Sequence, residues 1–176
     1  MCNREGSKMM NKKMKKALNN QVNAELYAAY LYLSMCAWFE AKSLTGFASW
    51  MRVQVQEEMF HAMKIFNYIH DRNEGVILEA LAKPESGWDT SQAVIESALK
   101  HEQKVTAMIN DLVNCALEEH DHAANQFLQW YVAEQVEEEA SFGAVLDRLK
   151  LVGSDSAGLF ALDLEMAKRV FVPPAP

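Results

Sequence analysis

Residues 128–149, LQWYVAEQVEEEASFGAVLDRL, decide the fold. Steps of alternately three and four pick out Leu128, Tyr131, Gln135, Glu138, Phe142, Val145 and Leu149. That is one face of a long helix, apolar except at two adjacent positions. Three other stretches repeat the pattern. Met14, Leu18, Val22, Glu25, Ala29, Tyr32, Cys36 and Phe39 form a stripe interrupted by Glu25. Phe47, Met51, Gln54, Glu58, His61, Ile65 and Tyr68 form another, with Glu58 and His61 one turn apart on the same face. Ile95, Leu99, Glu102, Thr106, Ile109, Val113 and Ala116 form the last, with Glu102 on its buried side.

These stripes predict helices over about 8–41, 44–72, 91–119 and 121–151, followed by a short fifth at about 157–169 and a tail over 170–176. Between the second and third the period is lost. Asn73, Gly75, Pro84, Ser86 and Gly87 mark a loop there. A helix of ~28 residues is ~40 Å long, and an extended linker of ~16 residues spans ~50 Å, enough to run the length of a bundle. The other joins are only a few residues, so their flanking helices must be antiparallel neighbours. The expected fold is an all-α antiparallel four-helix bundle with one long crossover and a short C-terminal helix, a single domain over 1–176. Asp89 or Thr90 is expected to cap the third helix, Gly153 to end the fourth, and Ser154 or Asp155 to cap the fifth.

Composition agrees. The chain has 176 residues, half of them hydrophobic, with only seven Gly and four Pro, which suits one helical domain with a proper core. A formal charge of −7 disfavours nucleic acid or an anionic membrane as partner and suits the attraction of cations. No stretch approaches the ~20 apolar residues of a membrane span, and the basic N-terminus lacks the apolar run of a signal peptide, so a cytoplasmic location is expected. Cys2, Cys36 and Cys115 are odd in number and unpaired in spacing, which predicts neither disulfides nor a zinc site. The methionines, among them Met9, Met10, Met14, Met35, Met51, Met59, Met63, Met108 and Met166, are spread along the chain and are expected as core filler.

In an antiparallel bundle the mid-helix misfits Glu25, Glu58, His61, Glu102, Gln135 and Glu138 fall at one height and become neighbours. Two carboxylates at ~4 Å repel by ~4 kcal/mol even at an effective dielectric of ~20, so four cannot all stay ionised there without a counter-charge. Two divalent cations balance four carboxylates, leaving His61 and Gln135 as neutral ligands. Oxygen-rich ligation with one imidazole suits Fe²⁺ or Mn²⁺ better than structural zinc. A lone Glu-x-x-His is a weak signal; four interrupted stripes together are a strong one.

The segments NAELY at 23–27, QEEMFH at 56–61, HE at 101–102 and WYVAEQVEEE at 130–139 resemble the ferroxidase motifs of prokaryotic non-haem ferritins, and the similarity runs from about Met9 to Arg169. The resemblance implies a ferritin-like fold, iron storage with detoxification, and oxidation of Fe²⁺ to Fe³⁺ by O₂ or peroxide at a di-iron centre inside each subunit. Ferric mineral would then be deposited inside a homo-oligomeric cage of twenty-four subunits. It also implies that Glu25 and His61 bind the first iron, that Glu58 bridges, and that Glu102 and Glu138 hold the second with Gln135 beside them. Gln135-x-x-Glu138 stands where bacterioferritins carry a second Glu-x-x-His, which argues against the haem-containing branch. In similar proteins Tyr32 neighbours the site as an electron donor; as a core aromatic bonded to a ligand it is equally well explained. Glu57, Glu134 and Glu137 form a third iron site in similar ferritins, or else a solvated acidic face. Glu118, Glu119, His120, Asp121 and His122 mark either a cation entry or a polar turn. Zn²⁺ is expected to inhibit, since nitrogen and oxygen sites bind it at least as tightly as Fe²⁺. The rival readings are a soluble di-iron oxidase or peroxidase that stores nothing, and an inert bundle whose polar residues fix helix register.

Overall fold

The computed structural model describes residues 10–173. The expectations for Cys2, Met9 and the last residues of the tail lie outside that range, and the first helix begins at Lys12 behind an Asn11 cap rather than near residue 8. The chain forms α1 (Lys12–Ala41), α2 (Thr45–Asp71), α3 (Ser91–Glu118), α4 (His122–Val152) and α5 (Ser156–Met166), with no strand among the described residues. This is the all-α four-helix bundle with a short C-terminal helix. None of these helices is long and apolar enough to cross a membrane.

Helix starts follow capping chemistry. The side chains of Asn11, Thr90, Asp121 and Asp155 each accept a backbone N–H of the first turn, from Lys13, Ala93, Ala124 and from Ala157 with Gly158. Three helix ends rest on residues with positive φ that are not glycine: Ser43 at 59°, Asn73 at 57° and His120 at 53°. Polar residues, Asn and His above all, enter the left-handed region more readily than other non-glycine residues, and each lets the chain reverse or leave the helix within a residue or two. Gly153, at φ 57°, ends α4 as its position predicted. The fifth helix stops at Met166 rather than near 169, and the residues beyond it turn toward α2.

α1 packs on α2, α3 on α4, and α1 on α3. The crossover lies along α1. Asn19 Oδ1 accepts from Ile77 N at 2.6 Å and Asn23 Oδ1 from Glu79 N at 2.8 Å, and farther along Ser34 donates to Glu85 O and the Trp38 indole to Trp88 O. Asparagine side chains thus satisfy the backbone of a loop with no ladder of its own. α5 docks on α2 and α4. Asp163 accepts from Phe47 N at 2.9 Å, and Gly46 lies so close to the Asp163 carbonyl that any Cβ there would collide with it.

The core falls into two apolar clusters. One gathers Phe39, Phe47, Met51, Ile95, Phe142 and Leu149 with Leu162 of α5. The other gathers Met14, Leu18, Ile65, Ile69, Ile109, Leu128 and Tyr131. Trp50 belongs to the first cluster, with Trp38 and Trp88 packed against it. Met10, Met14, Met35, Met51 and Met166 are buried, but Met59, Met63 and Met108 are exposed, so the filler expectation fails for those three. Cys36 and Cys115 are buried free thiols. Between the two apolar clusters lies a polar belt.

Candidate metal centre

Each of the six mid-helix misfits is buried: Glu25 on α1, Glu58 and His61 on α2, Glu102 on α3, Gln135 and Glu138 on α4. The belt is polar because each helix contributes a misfit near its middle, and the helices align those middles. Ligand atoms of Glu25, Glu58 and His61 lie within 4.8 Å of one another, and those of His61, Glu134 and Glu138 form a second such group. His61 is therefore the hinge between two sets of donors, with Nδ1 3.5 Å from Glu58 and Nε2 3.7 Å from Glu134. Its ring meets Trp130 edge-on at 5.5 Å, and Tyr131 donates to the His61 backbone oxygen at 2.8 Å. These contacts fix α2 against α4 at the height of the imidazole.

Neutral groups hold the acids. Gln21 donates to Glu25 Oε1 at 3.0 Å, Gln54 to Glu138 Oε2 at 2.8 Å, and Gln135 to Glu102 Oε2 at 3.0 Å. Tyr32, fully buried, donates its hydroxyl to Glu102 Oε1. Glu25 Oε2 finds no protein hydrogen-bond partner. A buried carboxylate oxygen left without a partner in a pocket of like charges is a strong demand for a cation. The donor set of carboxylates, one imidazole and amide groups fits hard or intermediate divalent metals.

The electrostatics match that demand. Burial raises the Glu102 and Glu138 carboxyls to about 7, with Glu25 adding to the first and Glu102 to the second. Burial, reinforced by the Glu102 charge, pushes Glu58 well above the carboxylate range, and burial raises Glu25. For His61 burial acts downward but is outweighed by Glu134 and Glu58, so the imidazole holds its proton well above the usual range. Tyr32 is pushed up by burial and by the neighbouring acids, so its hydroxyl stays a donor. In the metal-free protein protons carry the compensating charge, and a bound metal must displace them.

The outer acids divide. Glu134 joins the His61 group. Glu57 is partly buried, and burial raises its carboxyl to about 7 against the opposing pull of Arg169, with which it pairs at 2.7 Å. Glu137 is exposed and shares none of these contacts. At the α3–α4 turn, Asp121 is engaged bidentately by Arg72 at 3.0 Å, Glu118 pairs with Lys13 and Glu119 accepts from Asn11. That is the pattern of a tied polar turn. His101 packs beside Tyr27 and Tyr32, and burial lowers it to about 4.

Sequence reading missed Gln21, Gln54 and Arg169. Gln54 stood on the α2 stripe and could have been flagged as a third polar misfit, as could Gln21 four residues before Glu25 on α1. Arg169 carried no local signal, because its contact depends on where the chain goes after α5.

Comparison with known proteins agrees with the geometry. A family model described as a ferritin-like domain matches residues 15–152. A probable bacterial non-heme ferritin-like protein of Haemophilus influenzae is 39% identical over 158 residues, covering 90% of this chain and 96% of that protein. A bacterial non-heme ferritin of Campylobacter jejuni is 40% identical over 155 residues, covering 88% and 93%. Among solved structures, a closed form of the Archaeoglobus fulgidus ferritin engineered by site-directed mutagenesis superposes with a TM-score of 0.91 at 50% identity, covering 93% of this chain and 99% of that one. An open pore ferritin from the same archaeon gives 0.91 at 49%, covering 92% and 99%.

Proposed function

The chain belongs to the ferritin-like family, and from that premise we propose that it stores iron and oxidises Fe²⁺ at the carboxylate belt of each subunit. The observation that carries this reading is the convergence of four buried carboxylates and one imidazole from four helices, with Glu25 Oε2 left without a protein partner. Iron is the substrate and the cargo.

In this reading Glu25 and His61 bind one Fe²⁺, Glu58 bridges, and Glu102 and Glu138 bind the second. Gln135 and Tyr32 hold the two Glu102 oxygens, so that ligand enters the reaction already oriented. Each Fe²⁺ gives up one electron. O₂ takes two electrons and two protons to become H₂O₂, or H₂O₂ takes the same to become two waters. The carboxylates favour Fe³⁺ because the added charge finds anionic oxygen already in place. Glu134 and Glu57, with Glu137 beyond them, form a relay by which iron enters or leaves, with a third iron site among them. Ferric product hydrolyses to mineral inside a cage of twenty-four subunits in the cytoplasm, without nucleic acid or membrane as partner.

The test is aerobic addition of Fe²⁺ to the purified assembly, followed by ferric absorbance and then by iron retained after gel filtration. Rapid oxidation with retained iron is expected. Oxidation without retention would indicate an oxidase, and neither would indicate an inert bundle. Equimolar Zn²⁺ is expected to slow oxidation by about an order of magnitude, because it prefers the same ligands; a rate indifferent to Zn²⁺ would count against the assigned residues.

A further inference from the structure

One cation already sits at the edge of the belt. After α5 the chain turns back to α2, and the Arg169 guanidinium makes three contacts there. Nη2 pairs with Glu57 Oε2 at 2.7 Å, Nη1 donates to Gln54 Oε1, and the guanidinium carbon lies 4.8 Å from the Trp50 ring centre. Phe171, two residues on, packs on Phe60 with ring centres 6.4 Å apart, so the segment is anchored on α2 from both sides of the belt edge. Gln54 is fully buried, and its amide nitrogen donates to Glu138. With its oxygen held by Arg169, the amide has only one way to face. The chain Arg169–Gln54–Glu138 therefore links a residue outside the bundle to an acid inside it.

Glu57 lies in the field of Glu134, Glu138 and His61. A divalent cation bound by these outer acids competes for the Glu57 Oε2 that Arg169 now occupies, and a guanidinium beside it repels any second cation. We propose that Arg169 is a built-in counter-cation for the outer edge of the belt: it holds Glu57 directly and Glu138 through Gln54 in the metal-free protein, and it must release Glu57 before a divalent metal binds there, freeing the segment after α5 from α2. Arg169 is thus a positioning residue, and metal loading and docking of the C-terminal segment are mutually exclusive at this edge. By linkage, whatever loosens the segment tightens metal binding at the outer acids, and the reverse.

This inference rests on the belt being a metal site, and the test separates the two. The intact assembly, as wild type, Arg169→Gln and Arg169→Lys, is titrated anaerobically with Co²⁺ by calorimetry and visible absorption. Backbone hydrogen exchange of residues 167–173 is followed with and without the metal. In wild type, saturating Co²⁺ is expected to speed exchange in that segment. Arg169→Gln is expected to exchange fast without metal and to bind its weakest Co²⁺ about tenfold more tightly, since a cationic neighbour has been removed. Arg169→Lys, which keeps the charge, is expected to stay within about threefold of wild type. A Co²⁺ isotherm for Arg169→Gln that superimposes on wild type, or a wild-type segment whose exchange ignores Co²⁺, overturns the proposal while leaving the metal site standing. Absence of Co²⁺ binding in wild type overturns both.

Discussion

The aromatic half of the core and the belt beside it are built from the same helices at adjacent turns, yet they do opposite things. Phe39 and Phe47 stack at 5.0 Å, and Trp50 meets Phe142 edge-on at 4.8 Å. The two phenylalanines of the stack and Phe142 are wholly removed from water, and each gains the full benefit of that transfer. Toward the middle of the bundle, Glu58, Glu102 and Glu138 are almost as deeply buried and lose by it, because burial disfavours their charged forms. The apolar halves hold the bundle together so that the belt can keep an arrangement that would not hold itself. Stability and the proposed metal chemistry therefore occupy separate layers of one core.

That division can be broken by mutation. Phe142→Ala is expected to cost about 3–5 kcal/mol, lowering the thermal midpoint of the metal-free protein; a loss under about 1 kcal/mol would mean that the aromatic half carries less than its burial implies. In the belt the consequence reverses. Glu58→Ala or His61→Ala is expected to lower the initial rate of Fe²⁺ oxidation by about 100-fold while circular dichroism keeps the helical signal. Unfolding of both variants at neutral pH without metal would assign the belt to the scaffold.

The legible part of the molecule follows the same division. A long helix declares itself by period, and four stripes with buried acids gave the bundle, the long crossover and the six polar positions that the structure gathers into one interior. What stayed hidden were groups whose meaning depends on a distant partner. Gln21 and Gln54 are unremarkable amides until a carboxylate is placed beside them. Gly46 looks like any helix residue until the Asp163 carbonyl comes against it, and Arg169 has no period at all. The run of acids at 137–139 shows the limit from the other side. Successive helix residues point ~100° apart, so Glu138 is buried, Glu137 is exposed, and Glu139 accepts from Thr106.

Two smaller effects sharpen the comparison. Glu102 and Glu138 rise from 4.5 to about 7 in the folded protein, so the native state binds more protons than the unfolded one across that interval. Their contribution to stability is full below pH 4.5 and is lost as the pH climbs through 7. The metal-free protein is thus expected to lose stability steadily between these values, measurable as a falling denaturation midpoint. Divalent metal affinity should climb over the same interval as the protons leave. Glu102→Gln and Glu138→Gln together should flatten the stability profile, and an unchanged profile would place the titration elsewhere. The smallest effect is expected from Tyr32→Phe, which removes one donor to Glu102. A few-fold slower oxidation with unaltered metal stoichiometry is expected, since a single neutral hydrogen bond is worth about 1 kcal/mol. A loss as large as that of His61→Ala would make Tyr32 a direct participant.

The central claim is that the belt acids meet at bound metal. Crystals of the assembly loaded anaerobically with Fe²⁺, with anomalous diffraction recorded on both sides of the iron absorption edge, test it most directly. Two iron peaks inside each bundle are predicted, one among Glu25, Glu58 and His61 and the other among Glu58, Glu102 and Glu138. Iron bound only on outer surfaces, with the belt empty, would contradict the account.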